Sequence, residues 1–295
     1  MELKYDSLAA ILKAAEDAGC KLSELVLKDQ AAQLERTEED VYQQMADDYQ
    51  VMREAVDSGL DPDLRSASGL TGGDAAKMAA YVKSGKNLTG SFIGSAMYRA
   101  LAVSELNAAM GRIVAAPTAG SCGIVPAAVI TMQEEYGSSE RDCIMSLFTA
   151  SAIGMVIGKN ASLAGASGGC QAECGSASAM AAGAIVELAG GSPAMIDSAV
   201  AIALKNILGL VCDPVAGLVE IPCIKRNAGG VTGAYTAAEI ALAGIRSAIP
   251  GDEAILAMKK VGDSMPAALK ETAEGGLAVT ATACRLCQQV FGTEK

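Results

Sequence analysis

Cysteine is the residue type with the most varied chemistry in this chain, which contains nine of them. Cys170 and Cys174 stand four residues apart in a Gly-rich stretch, and Cys212 and Cys223 each lie near a proline. A proline frees neighbouring amides, which can hydrogen-bond to sulfur as they do around metal clusters. Because the chain has no histidine, a metal site would use thiolates and carboxylates, and an all-thiolate set favours zinc or an iron–sulfur cluster. The competing interpretation is that these cysteines are buried packing residues.

Polar residues gather in two glycine-rich loops. They are Ser66, Ser68, Thr71, Thr118, Gly120 and Ser121. Hydroxyls and free backbone amides before a helix can hold a carboxylate or a phosphate, although ordinary capping chemistry also explains the first loop. The second loop lies between apolar flanks, so its polar groups need partners, and a ligand is one such partner. Lys225 and Arg226 follow Cys223 and would favour thiolates or an anionic substrate.

The remaining cysteines carry weaker signals. Cys284 and Cys287 form a C-x-x-C pair, but no second pair and no βαβ pattern accompanies them, so we favour packing over a zinc or redox role. Cys20 and Cys143 lie within apolar helical patterns and are interpreted as packing residues. Cys122 lies in the second polar loop.

Composition excludes several classes of function. Without histidine this chain supplies neither a Ser-His-Asp triad nor a histidine base. A net charge of −11 argues against a nucleic-acid binder, which needs a basic face. The acidity is concentrated in residues 1–65, whose net charge is −9, and we interpret it as solvated helical surface.

Helical patterns that would position these residues run along the whole chain, whereas strand patterns are weak. The sequence predicts an all-α fold, a single compact multi-helix domain of roughly ten helices with Gly/Ser/Cys-rich loops forming the site. We divide it into an acidic helical N-terminal segment, 1–65, and a main all-helical domain, 66–295. Predicted helices lie near 23–57, 73–83, 91–110, 124–136, 139–158, 174–189, 194–208, 231–248 and 252–262, with one more starting near Leu8 and one at the C-terminal end. Predicted loops are 66–74, 84–91, 115–126, 165–169, 212–218 and 227–233.

Neither an export signal nor a membrane span is expected. Residues 1–21 alternate charged and apolar residues and contain no apolar signal core. Residues 113–133 are uncharged but interrupted by prolines and glycines, and 143–158 is shorter than the ~20 residues that cross a bilayer. We therefore expect a cytoplasmic protein with reduced thiols and with no membrane or nucleic-acid partner.

Three long segments, supported by a fourth, resemble the α subunit of the iron–sulfur-dependent L-serine dehydratases of the two-subunit bacterial type. They are AAPTAGSCGIVPAAV at 115–129, SGGCQAECGSASAMAA at 167–182 and GLVCDPVAGLVEIPCIKRNAGG at 209–230, with SASGLTGGDAAKM at 66–78 in support. The resemblance implies an all-helical catalytic domain over 66–295. It also implies that the three cluster cysteines of the family fall on Cys170, Cys212 and Cys223.

By this resemblance the cofactor is a [4Fe–4S] cluster. Three thiolate ligands would leave one iron free to bind the substrate hydroxyl as a Lewis acid, while a base removes the α-proton of L-serine. Loss of water gives an enamine, which tautomerises and hydrolyses to pyruvate and ammonia. The two polar loops would hold the substrate carboxylate and amine, with Lys225 or Arg226 as helpers. Cys174 or Cys122 could occupy the open iron in a resting state.

The same resemblance implies a separate β subunit that carries a Ser- and His-containing segment. This chain alone would then lack part of the active site, including the base. The heterodimer would act in cytoplasmic amino-acid catabolism and gluconeogenesis.

Three other functions remain open at this point. A related iron–sulfur L-cysteine desulfidase would eliminate sulfide instead of water. A non-catalytic helical scaffold would use its cysteines for packing and would be colourless. A pyridoxal-phosphate dehydratase needs a Schiff-base lysine and a phosphate loop on an α/β fold, but no strand–helix alternation accompanies Lys77, Lys83 or Lys86.

Overall fold

The structure, a computed structural model, describes residues 3–292. That range contains thirteen α-helices and no β-sheet, which confirms the predicted all-α fold. The helices are α1 (Leu8–Ala18), α2 (Leu22–Gln33), α3 (Glu38–Gly59), α4 (Asp74–Lys83), α5 (Gly90–Ala108), α6 (Ile124–Thr131), α7 (Glu140–Asn160), α8 (Gly165–Gly168), α9 (Ser176–Leu188), α10 (Pro193–Ile207), α11 (Cys223–Leu242), α12 (Gly251–Ser264) and α13 (Ala281–Phe291).

Several helices begin where the sequence carries a capping residue. The hydroxyls of Ser7, Ser139 and Ser192 accept hydrogen bonds from amides in the first turns of α1, α7 and α10. Pro193 occupies the first position of α10, where its missing N–H costs no helical hydrogen bond. These boundaries follow from local chemistry, and the sequence predicts them.

The single helix predicted over 23–57 is wrong, because α2 and α3 are separate there. Glu35 adopts a left-handed backbone conformation with φ 54°, which ends α2. Thr37 then caps α3, since its hydroxyl accepts from the Asp40 amide and the Asp40 carboxylate folds back to the cap. Thr37 and Asp40 form a capping box, a local helix-start signal that divides the predicted segment into two helices.

The loop predicted over 227–233 and the helix start predicted near 231 are also wrong. Residues 223–242 form one helix, α11, with glycines at 229, 230 and 233 inside it. Gly230 packs against Ile124, and the Gly230 carbonyl oxygen accepts a hydrogen bond from the Ser178 hydroxyl at 2.8 Å. Tertiary contacts therefore outweigh the low helix propensity of these glycines.

Helix α9 forms the centre of the molecule and packs against α6, α7, α10 and α11. Nearly all of its residues are buried, and most of them are Ala, Ser or Gly. Gly183 lies against Ile153 of α7 so closely that any Cβ there would overlap the isoleucine side chain. Small side chains allow these helices to approach closely, which explains a core with few aromatic residues.

The N-terminal helices share one hydrophobic cluster with the rest of the chain, including Leu8, Val26 and Met52. Carboxylates from distant helices cap two helix starts: Asp252 accepts from the Leu8 and Ala9 amides, and Glu105 accepts from the first two amides of α4. A negative charge at a helix N-terminus is favourable, so part of the acidic excess is structural. The division at residue 65 stays a prediction.

Helix α7 is the one described helix that is long and apolar enough to cross a membrane. Its mean hydropathy is 1.3, and 72% of that stretch is buried inside the protein. A core helix shows the same combination of length, hydropathy and burial.

Candidate functional site

Four cysteines from separate parts of the chain are buried in one region. They are Cys170, Cys174, Cys212 and Cys223. Cys170 directly precedes a π-helical turn before α9, and Cys174 lies within that turn. Cys212 follows α10, and Cys223 is the first residue of α11. Their sulfur atoms are close enough for the charge on one to shift the pKa of another. The structure thus brings the three predicted cluster cysteines together and adds Cys174.

The backbone of Cys212 is held by a C-terminal segment that the sequence does not connect with it. The Cys212 amide donates to the Leu269 carbonyl oxygen at 2.9 Å, and the Glu271 amide donates to the Cys212 carbonyl oxygen at 2.9 Å. The neighbouring Asp213 carboxylate accepts from the Leu277 amide at 2.7 Å. Residues 269–277 therefore hold the backbone and side chain of the Cys212–Asp213 segment.

Cys170 and Cys174 form a hydrogen-bonded pair whose sulfur atoms are 3.4 Å apart. The hydrogen bond between the two thiols, together with the nearby Arg226 guanidinium, lowers the pKa of Cys170. The same bond, together with burial, raises the pKa of Cys174. Arg226 is fixed in place, because it also donates to the Val211 carbonyl oxygen and to Asp213, both at 2.9 Å.

Burial raises the pKa of Cys223 to about 12 and also raises the pKa of Cys212. Burial therefore favours the neutral thiol at both positions, and a bound cation is the charge that would stabilise a thiolate there. Within residues 3–292, no three His, Cys, Asp or Glu side chains surround one point closely enough for a single metal ion. The buried donors of this region are thiols, the ligand type that iron–sulfur clusters use.

Glu173, within the π-helical turn, joins the cysteines to the second polar loop. Its Oε1 accepts from the Thr118 hydroxyl at 2.9 Å. A Cβ at Gly120 would lie 3.2 Å from both carboxylate oxygens. A Cβ at Gly165 would lie 2.9 Å from Glu173 Oε2 and 3.0 Å from Cys212 Sγ. Two glycines therefore make room for a carboxylate beside Cys212.

Sequence reasoning missed Glu173 because a lone glutamate between two cysteines has no motif of its own. Burial raises the pKa of Glu173, whereas the hydrogen bond from Thr118 opposes that shift. The Ser121 hydroxyl lies 3.1 Å from the Thr118 hydroxyl, so the predicted loop residues and Glu173 form one polar chain. Glu173 lies in a π-helical turn, and such turns are frequent at functional sites. The structure shows this turn, whereas the sequence does not.

Asn227 is the second functional residue that the sequence did not indicate. It is almost fully buried in the second turn of α11. Its side-chain amide donates to the carbonyl oxygens of Gly120 at 2.8 Å and Cys223 at 3.0 Å, and its oxygen accepts from the Gly123 amide at 2.9 Å. The second polar loop is thereby fixed relative to Cys223.

The first polar loop surrounds a buried carboxylate of the protein itself. The hydroxyls of Ser68 and Thr71 donate to Glu220 Oε2 at 2.9 and 2.8 Å. The Ser66 hydroxyl lies 3.2 Å from that of Ser68 and accepts from the Thr71 amide. Because Glu220 stands three residues before Cys223, these hydroxyls lie near the site, but a protein carboxylate engages them.

The two predicted cationic helpers differ in their surroundings. The Lys225 ammonium group pairs with Asp74 of α4 at 2.7 Å, and its side chain is 62% exposed. The Arg226 side chain is only 17% exposed and faces Cys170 and Asp213. Of the two, the structure brings Arg226 to the buried cysteines.

The other cysteines lie outside this group. Cys122 and Cys143 are buried, and their thiols face the Val103 and Val129 carbonyl oxygens at 3.9 and 3.8 Å. Cys284 is exposed and Cys287 is partly exposed, both on α13, while Cys20 is partly exposed after α1.

A cleft of about 430 Å³ leads to the cysteine pair from the surface. The buried Cys174 and the partly buried Arg226 line it, together with the exposed residues Leu208 and Gly209. The cleft gives small molecules a route toward Cys174.

Comparisons with known proteins identify the family of this chain. Residues 17–278 match the family described as serine dehydratase alpha chain. The Bacillus subtilis (strain 168) protein named "Probable L-serine dehydratase, alpha chain" is 50% identical over 288 residues, which cover 98% of this chain and 96% of the relative. "L-serine dehydratase, alpha chain" of Peptoniphilus asaccharolyticus is 44% identical over 92% of this chain and 93% of its own length.

A longer relative matches only in part. "L-serine dehydratase 2" of Escherichia coli (strain K12) is 38% identical over 293 residues, covering 95% of this chain but 62% of the relative. The matches to the two alpha chains extend over most of this chain, and the family match includes the cysteines at 170, 174, 212 and 223. The chain therefore belongs to the serine dehydratase alpha chain family.

Proposed function

We propose that this chain is the cluster-binding α subunit of a cytoplasmic L-serine dehydratase, which converts L-serine to pyruvate and ammonia through dehydration. One observation carries the proposal: the Thr118–Ser121 loop is joined to the cysteines twice. Glu173 ties it to the turn of Cys170, and Asn227 ties it to Cys223. A hydroxyl-bearing loop fixed against a thiol cluster is suited to holding a small polar substrate beside a metal.

Cys170, Cys212 and Cys223 are the proposed ligands of a [4Fe–4S] cluster. When bound, the cluster supplies a Lewis acid that makes a hydroxyl a better leaving group. Arg226 supports the Cys170 thiolate with its positive charge and is itself anchored by Asp213. The hydroxyls of Thr118 and Ser121 and the backbone around Gly120 are proposed to bind the substrate carboxylate and amine.

Glu173 is proposed as a positioning residue for that loop. Its carboxylate accepts a hydrogen bond from the Thr118 hydroxyl. This bond fixes the direction of the hydroxyl and so orients the lone pairs of Thr118 Oγ1. The same carboxylate fills the space between Gly120 and Gly165, which excludes water from the side of Cys212. The Ser66, Ser68 and Thr71 hydroxyls act on Glu220 and so position the backbone that leads to Cys223.

A separate β subunit is proposed to supply the base. This chain has no histidine, and two of its relatives are named as alpha chains. The aligned stretch covers 62% of the Escherichia coli relative, so the rest of that protein is the natural counterpart of a second subunit.

The test is anaerobic purification of this chain alone and with its β subunit, followed by iron and sulfide analysis and a pyruvate assay on L-serine. We expect a brown complex that forms pyruvate, and an α chain that holds iron but is inactive alone. Strong activity of the α chain alone would contradict the two-subunit proposal. Sulfide release from L-cysteine without activity on L-serine would make it a desulfidase, and a colourless iron-free complex would favour the scaffold.

Single alanine substitutions test the ligands. Cys170→Ala, Cys212→Ala and Cys223→Ala should each abolish iron binding, whereas the matched controls Cys20→Ala and Cys284→Ala should retain it. Loss of iron on substitution of Cys284 or Cys287 instead would overturn the assignment. Iron content is measured directly, so the result does not depend on activity.

A further inference from the structure

Cys170 and Cys174 are the only two thiols in residues 3–292 that are hydrogen-bonded to each other. Their sulfur atoms are 3.4 Å apart, whereas a disulfide requires about 2.0 Å. The gap is roughly 1.4 Å, which side-chain rotation and a small backbone movement can close. No other cysteines of the site are placed in this way.

The backbone on the Cys174 side of the pair has room for that movement, whereas Gly169 on the other side is packed against Met265 and Leu210. Gly169 precedes Cys170, and Gly175 follows Cys174. A Cβ at Gly175 would meet no atom closer than 3.9 Å, so the chain has room to shift there. Between these glycines lies the π-helical turn, a rare backbone form that occurs mostly as single turns.

A small oxidant can reach the pair. Both sulfur atoms are buried, but Cys174 lines the cleft of about 430 Å³ that opens beside Leu208 and Gly209. This cleft is large enough to admit hydrogen peroxide, and Arg226, whose guanidinium lies near Cys170, is among its lining residues.

We propose that Cys170 and Cys174 are a modification site: in the metal-free chain, peroxide converts them into a reversible disulfide. The Cys170 sulfur attacks one peroxide oxygen, the O–O bond breaks, and a sulfenic acid and one water form. The Cys174 sulfur then attacks the Cys170 sulfur, the S–O bond breaks, and its oxygen leaves as a second water. Two thiols and one hydrogen peroxide thus become one disulfide and two waters.

The disulfide would protect Cys170 while preventing it from binding metal. A cysteine without a neighbouring thiol proceeds from sulfenic to sulfinic acid, which thiols cannot reverse. With Cys174 beside it, Cys170 would stop at the disulfide and return to the thiol on reduction. This consequence rests on the proposed role of Cys170 as a cluster ligand, whereas formation of the disulfide does not.

A mass measurement tests the proposal on the wild-type chain. Trypsin releases residues 160–205 as one peptide that contains Cys170 and Cys174 and no other cysteine. Folded, iron-free protein is treated with one equivalent of hydrogen peroxide, alkylated under denaturing conditions and digested. We expect this peptide to appear without alkylation and two hydrogen masses below its dithiol form, while Cys284 is alkylated in the same sample. An alkylated, unoxidised peptide would overturn the proposal.

Two variants sharpen the result. Cys174→Ser should leave Cys170 as a sulfinic acid after excess peroxide, and dithiothreitol should not restore iron binding. Cys20→Ser should behave as the wild type, whose iron binding returns after dithiothreitol. Full recovery of iron binding by Cys174→Ser after dithiothreitol would contradict the protection of Cys170 by Cys174. If the disulfide forms but Cys170→Ala still binds iron and sulfide normally, then the ligand assignment fails while the disulfide stands.

Discussion

The side-chain amide of Asn227 donates to the Gly120 carbonyl oxygen at 2.8 Å, across 107 residues of sequence. The same side chain accepts from the Gly123 amide and donates to the Cys223 carbonyl oxygen. One buried side chain therefore sets the distance between a polar loop and a cysteine of the site. Its removal would leave backbone groups unpaired where water does not reach.

Asn227→Ala should destabilise the chain and weaken substrate binding. The unpaired Gly120 and Gly123 groups should cost about 1–3 kcal/mol of unfolding free energy. The loosened loop should raise KM for L-serine in the complex with the β subunit. Urea denaturation and steady-state kinetics measure the two effects, with Asn206→Ala, at an exposed position, as the control. Unchanged stability and KM in Asn227→Ala would show that Asn227 does not hold the loop.

The residue types of the site could be predicted from the sequence, but their connections could not. Cysteines near proline and glycine and the hydroxyls of the two loops are visible as local patterns. Glu173 and Asn227 became important only because folding brings distant segments to them. A side chain that bonds to a carbonyl oxygen 107 residues away leaves no periodic or spacing signal.

The fold was predictable where local chemistry decides it. Capping serines and the proline of α10 mark helix starts that the structure confirms. Helix α11 was misread because its glycines are typical of loops, yet Tyr235 in the same helix donates to the Ala128 carbonyl oxygen at 2.7 Å in the core. Such tertiary contacts override local propensity and cannot be read from the segment alone.

The double variant Ser68→Ala/Thr71→Val should lower stability more than it alters substrate binding. It removes both hydroxyl donors from Glu220, which is only 5% exposed. A buried carboxylate without these hydrogen bonds should lower the free energy of unfolding, measured by urea denaturation, by about 1–3 kcal/mol. KM for L-serine should stay near the wild-type value. Ser58→Ala, on the exposed face of α3, is the control. A raised KM with intact stability would instead restore these hydroxyls to substrate binding.

Lys225→Met should reduce stability at neutral pH but not in strong acid. The hydrogen bond from Lys225 and a second one from Lys77 lower the pKa of Asp74. Folded Asp74 therefore stays charged to lower pH than in the unfolded chain, so the stabilisation is full above the unfolded pKa and is lost as pH falls through the folded value. We expect a loss of about 0.2–1 kcal/mol, typical of an exposed ion pair.

Urea denaturation of Lys225→Met across the acidic range measures this difference. Lys259→Met is the matched control, because its partner Asp263 is more exposed than Asp74, so that ion pair should contribute less. An equal loss at every pH would contradict the ion-pair explanation. An increase in KM for L-serine would show that Lys225 contacts the substrate after all.

Gly59→Ala should be among the most destabilising single-methyl additions in the chain. Gly59 ends α3 where it crosses α5, and a Cβ there would overlap the backbone carbonyl of Ala102. A backbone atom within a helix cannot rotate away as a side chain can, so the two helices must separate, at a cost of about 1–3 kcal/mol or more. The matched control is Gly233→Ala in α11, where a Cβ meets no atom within 4 Å. There, alanine should stabilise the helix by up to about 1 kcal/mol. Thermal denaturation compares the variants, and equal melting temperatures would show that the approach of α3 to α5 does not depend on glycine.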